Sequence, residues 1–97
     1  MTTLHIQNTV RDYDSWKVNF DKFDRARRDR GVRSYRIRRD HDDVSRIAID
    51  LEFDNATRAE EFREFLYGVL RTPQSRAELL SHEEPVVLDV LEDVVLS

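Results

Sequence analysis

Residues 3–10 alternate. Leu4, Ile6 and Val10 fall on one side of an extended chain and His5, Gln7 and Thr9 on the other, with Asn8 the polar exception on the apolar side. The period changes at residue 13. Tyr13, Trp16, Phe20 and Phe23 recur at spacings of three, four and three, the stripe of an amphipathic helix. Asp12 or Asp14 can cap its start. Arg27, Arg28 and Arg30 stand at the negative end of its dipole, and Gly31 is placed to end it in a left-handed conformation. This predicts a helix from about residue 12 to about residue 30.

Alternation then resumes. Residues 32–39 read as a strand with Tyr35 and Ile37 on one face, followed by the polar turn 40–43. From Arg46 to Phe53 the residues Ile47, Ile49, Leu51 and Phe53 oppose Ala48, Asp50 and Glu52, so the two strands form a hairpin. A second helix opens at Asp54-Asn55, or at Thr57, where Thr57 and Glu60 fit a capping box. Ala59, Phe62, Leu66 and Val69 form its inner stripe, widened by Phe65 and Leu70. Thr72-Pro73 reads as a cap and first helical residue of a short helix through Leu80, and Pro85 starts a last strand.

The order strand–helix–strand–strand–helix–strand predicts a ferredoxin-like α+β fold: a four-stranded antiparallel sheet with both helices on one face, one domain over residues 1–97. The face away from the helices would show His5, Gln7, Thr9, Ala48, Asp50, Glu52, Val87, Asp89 and Leu91. That face can meet water, or a second copy across a two-fold axis. The last segment favours the copy. Val86 to Leu96 is strongly apolar and, fully extended, would span ~36 Å, against ~17–20 Å for an ordinary strand. Either its end frays, or Val94–Leu96 crosses onto the partner of a homodimer.

Composition narrows the chemistry. The chain has 97 residues, of which 39% are apolar and 37% charged, with a net charge of −4. All sixteen basic residues except Lys17 and Lys22 are Arg. Arg25, Arg27, Arg28, Arg30, Arg33, Arg36, Arg38 and Arg39 invite a nucleic-acid reading. Asp24, Asp29, Asp40, Asp42 and Asp43 are interleaved with them, and Asp50 and Glu52 put the wrong sign on the open sheet face for phosphates. A solvated helix face, or ion pairs to acids of the last strand, accounts for them better, and nucleic acid is not expected as a partner. There is no cysteine, which removes disulfides and thiolate chemistry. No apolar run reaches the ~20 residues of a membrane span and the N-terminus has no signal core, so a cytoplasmic location and no membrane partner are expected.

Four stretches carry a family likeness: Val10-Arg11-Asp12-Tyr13-Asp14-Ser15-Trp16-Lys17, Phe20-Asp21, Gly31-Val32-Arg33-Ser34-Tyr35-Arg36 and Leu51-Glu52-Phe53-Asp54. Together they resemble small bacterial members of the dimeric α+β barrel superfamily, which includes antibiotic-biosynthesis-type monooxygenases and polyketide cyclase-like proteins. The resemblance spans about residues 4–92. It implies a homodimer pairing through the sheet face and C-terminal strand, and a pocket between each sheet and its own helices. It also implies a cofactor-independent monooxygenase or cyclase acting on a planar or polyketide-like metabolite. The other reading is a non-catalytic, ligand-binding or stress-associated dimer.

Asn8 would point into the space under the helices, where a buried amide needs partners. Some haem-degrading and cofactor-free monooxygenases of the superfamily place an Asn on this strand, so the resemblance makes Asn8 a candidate catalytic residue, alongside His82 as an acid or base. Trp16, Phe20, Phe23 and Tyr35 would line a pocket for a flat hydrophobic ligand, or simply form core. Haem-degrading relatives pair their Asn with a Trp and a His near the second helix. Here the Trp is on the first helix and the second helix has no His, a departure from the haem pattern. His5, His41 and His82 lie on different elements, so no metal site is expected.

Overall fold

A computed structural model describes residues 1–97. Strand β1 (Thr2–Val10) leads into α1 (Tyr13–Lys22) and α2 (Asp24–Asp29). Strands β2 (Ser34–Arg39) and β3 (Arg46–Phe53) follow, then α3 (Ala56–Leu70), α4 (Pro73–Glu78), β4 (Leu79–His82) and β5 (Val86–Asp89). The sheet is antiparallel in the order β2-β3-β1, and the free edge of β1 is shared end to end by β4 and β5. This is the ferredoxin-like order.

The core is the meeting of two periodicities. Leu4, Ile6 and Val10 of β1 and Ile47, Ile49, Leu51 and Phe53 of β3 are buried on the face that the helices cover. Against them lie Trp16 of α1 and Ala59 and Phe62 of α3. Cα pairing of Leu4 with Leu51 and Ile6 with Ile49 puts the inward residues of the two central strands side by side.

Helix ends follow local chemistry. The Asp12 carboxylate accepts from the Ser15 amide at 2.9 Å to start α1. For α3 the structure selects Asn55, whose Oδ1 accepts from the Arg58 amide at 3.0 Å, over Thr57. Thr72 caps α4, with Pro73 in its first turn. The helix expected over residues 12–30 is two helices, because Phe23 leaves the helical region at φ −96°, ψ 11°. At the end of α2 the Val32 amide reaches the Arg27 carbonyl and the Gly31 amide the Arg28 carbonyl, with Gly31 at φ 95°. That pair of bonds is a Schellman motif, and it needs the left-handed residue that Gly31 supplies.

Three expectations are corrected at the C-terminal end. The short helix stops at Glu78 and not Leu80, because Leu79–His82 pairs with β1. The last strand is four residues long, and residues 90–97 lie outside any regular element. Its facing is also reversed. Val87 pairs with Leu4 and packs against the core, while Val86 and Leu88 pair with His5 and Thr3 and share their open face. Asp89 accordingly turns to the inner side, where its carboxylate accepts from the Thr2 hydroxyl at 3.1 Å.

Candidate ligand cavity between sheet and helices

A cavity of about 180 Å³ lies between the inner sheet face and the helices. Its walls follow from the stripes already described. Ile6, Ile49 and Leu51 supply the floor, Trp16, Phe20 and Phe23 one side, and Phe62, Phe65, Leu66 and Val69 the other. The aromatic rings contact one another in tilted and edge-on pairs, Trp16 to Phe20 at 5.0 Å and Phe62 to Phe65 at 5.4 Å between centroids. At the rim the Gln74 side-chain amide donates to Asn19, and the Ser15 hydroxyl donates to Glu78 at 2.8 Å, tying α4 to α1.

Two polar side chains enter this apolar space without partners. Asn8 is buried, and its Oδ1 has no hydrogen bond. Arg27 is only 4% exposed, and neither its Nε nor its Nη2 has one. Its guanidinium lies 3.7 Å from the Phe20 ring centroid and 5.3 Å from that of Tyr35. Asp24 Oδ1 stands 3.9 Å from Nη2, beyond hydrogen-bond reach. Burial pushes the Arg27 pKa down, opposed by Tyr35 and Asp24. Buried polar atoms in native proteins are nearly always satisfied, so these three call for a partner, whether water, ion or ligand.

A second, larger hollow of about 390 Å³ indents the opposite sheet face beside the β2–β3 turn. It is polar, lined by His5, Gln7, Arg38, Arg46 and His82 among others, and Asn8 borders it too. Cross-strand pairs organise this face. His5 Nδ1 meets Asp50 at 2.5 Å, Arg38 donates to the other Asp50 oxygen at 2.6 Å, and the Thr3 hydroxyl donates to Glu52 at 2.7 Å.

The structure thus gathers Asn8, Trp16, Phe20 and Phe23 around one cavity. Tyr35 does not line it. On the edge strand β2 it stacks edge-on behind Phe20 at 5.2 Å, one layer further out. His82 does not line it either: it is exposed and borders the polar hollow, although its backbone is the register partner of Asn8. Arg27 is the residue that the sequence reading assigned to solvent and the structure buries. The signal was available, since the aromatic stripe 13, 16, 20, 23 continues at 27. Of the other clustered arginines, several find acids, from neighbouring turns and strands and not from the last strand: Arg28 with Asp24, Arg33 with Asp54 and Arg38 with Asp50. Arg30 and Arg39 lie instead over the Phe65 and Tyr13 rings.

No protein-family model matches the chain, and no curated protein matches it in sequence. Solved structures do match in shape. A protein of Nitrosomonas europaea, provisionally assigned as an antibiotic biosynthesis monooxygenase, superposes with a TM-score of 0.64 at 12% identity over 95% of this chain and 100% of its own. A protein of Deinococcus radiodurans with the same provisional assignment gives 0.59 at 13% identity, covering 100% and 99%. A dimeric ferredoxin-like protein from an uncultured marine organism gives 0.62 at 14%, covering 96% of each. Likeness at this identity establishes a shared fold, the ferredoxin-like α+β fold expected from the order of elements.

Proposed function

We propose that the protein binds a small planar metabolite in the cavity between sheet and helices and oxygenates or cyclises it without a cofactor, as one half of a homodimer. The observation that carries the reading is the buried, unpartnered Asn8 Oδ1 at an aromatic-lined cavity. An acceptor there is matched by an O–H or N–H of a ligand whose ring lies between Trp16 and Phe62. A cavity of about 150 Å³ holds benzene, so about 180 Å³ suits one ring or a compact fused pair. A three-ring polyketide would need side chains to move.

The dimer reading rests on the open face and the tail. Val86 and Leu88 add apolar area beside the His5–Asp50 and Thr3–Glu52 pairs, and Leu91, Val95 and Leu96 are more than nine-tenths exposed. A second copy laid on that face would cover both, and one of the structural neighbours is itself described as dimeric.

1-Naphthol is a suitable probe. Its phenolic O–H can donate to Asn8, and its oxidation by O₂ to 1,4-naphthoquinone and water draws every electron from the ring. Oxygen uptake and quinone absorbance should exceed the protein-free rate and fall to it in Asn8→Leu. Binding without uptake would favour the second reading, a carrier without turnover. That reading has its own support: no histidine lines the cavity, and its only ionisable side chains are Arg27 and Glu78.

A further inference from the structure

The unpartnered edge of Arg27 is specific. In a guanidinium, Nε–H and one N–H of Nη2 point the same way and form its side-on edge. Those are the two nitrogens that lack partners here. Two parallel N–H donors fit the two oxygens of a carboxylate better than any single acceptor. The guanidinium cannot shed its charge at neutral pH, and Asp24, at 3.9 Å, balances that charge without satisfying either N–H. Its neighbours are the faces of Phe20 and Tyr35 and the Asp24 carboxylate, which is in ion-pair range but not hydrogen-bonded. Phe20 and Arg27 both line the cavity, so a flat wall and the cationic fork share one surface.

We propose that the cavity's occupant is an aromatic carboxylate, and that Arg27 is the residue that selects it by holding the carboxylate side-on while the ring packs between Trp16, Phe20 and Phe62. This rests on the reading that the cavity takes a planar ring, and sharpens it by naming the charge and the residue that reads it. Arg27 is a specificity residue in this account. The ring chemistry remains with whatever faces the far end of the ligand, where Asn8 offers an acceptor.

Benzoate and benzamide differ in charge and scarcely in shape, and Trp16 is the chain's single tryptophan. Each ligand is titrated against the one indole N–H resonance of the full chain. We expect benzoate to bind at least about tenfold more tightly than benzamide, a difference of about 1.4 kcal/mol. In Arg27→Met the benzoate-to-benzamide ratio should fall to about one. Arg27→Lys, which keeps the charge and loses the side-on edge, should fall between. Equal affinities in the native chain overturn the assignment of Arg27 while leaving the cavity as a ring site. A preference undiminished in the Met variant also overturns it. No movement of the indole signal with either ligand overturns the carboxylate proposal and the ring-binding reading together. The native-chain ratio needs no variant, so a Met protein that fails to fold does not shield the claim.

Discussion

Asn8→Leu separates a functional amide from a structural one. The substitution keeps the branch at Cγ and exchanges the amide for two methyl groups, at a position 8% exposed and flanked by Ile6 and Val10 on the same face. If the amide held the strand in place, its loss would destabilise the fold. The structure gives the opposite sign, because Asn8 Oδ1 bonds to nothing. An unsatisfied buried acceptor costs about 1–3 kcal/mol, and the leucine removes that penalty. For a domain of this length each kcal/mol moves the melting midpoint by about 4–8 °C. We therefore expect the ligand-free variant to melt at least about 4 °C higher, and its urea midpoint to rise with an unchanged slope, both followed by far-ultraviolet circular dichroism. Excess ring ligand should raise the midpoint of the native chain and leave the variant's where it is. A variant less stable than the native chain by 1 kcal/mol or more would refute the reasoning, since the amide would then be bonded in the folded protein.

Other substitutions probe the frame. Phe53→Ala empties a fully buried position whose ring lies 5.6 Å from Phe62, and should cost about 3–5 kcal/mol in urea unfolding. Gly31→Ala should lower stability by about 1–2 kcal/mol. Its new Cβ would meet only the flexible Arg58 side chain at 3.4 Å, so the loss would come from holding a non-glycine residue at φ 95°. If the proposed homodimer forms through the tail, placing Asp at both Val95 and Leu96 should give single chains in sedimentation equilibrium where the native chain gives pairs, with the melting midpoint independent of concentration. Persistence of the dimer would remove the tail from the interface.

The fold was legible wherever one periodicity ran unbroken. In β1 and β3 every inward residue is where alternation puts it, including Asn8. The aromatic helix stripe is equally faithful, and three of its members line the cavity. What failed to show was decided by tertiary competition. Residues 79–82 carry a helix-compatible continuation of α4, but the unpaired edge of β1 offers ladder hydrogen bonds that the helix cannot match, and Leu79 turns into a strand residue. For the run Val86–Val87–Leu88, apolar on both sides, alternation cannot choose a face. The register with Leu4 chose it. Arg27 was misjudged for a different reason. Charge assigned it to water, whereas position on the stripe assigned it to the interior, and position prevailed.

The row of backbone beside β1 is broken at Pro85, and the break uncouples two lengths of sheet. Strand β5 seals the Thr2–His5 stretch, whereas β4 pairs with Asn8, Thr9 and Val10 through a register shift at its end, flanked by single backbone bonds from Glu83 to Gln7 and from Arg11 to Glu78. Glu78 and Leu79, at the join of α4 and β4, are also part of the cavity wall. Loosening this short ladder would expose the chamber without disturbing the central strands, because sub-global opening follows the weakest cooperative unit. The rate at which molecules enter and leave can thus be set by a few peptide groups next to Asn8, decoupled from the lifetime of the folded chain.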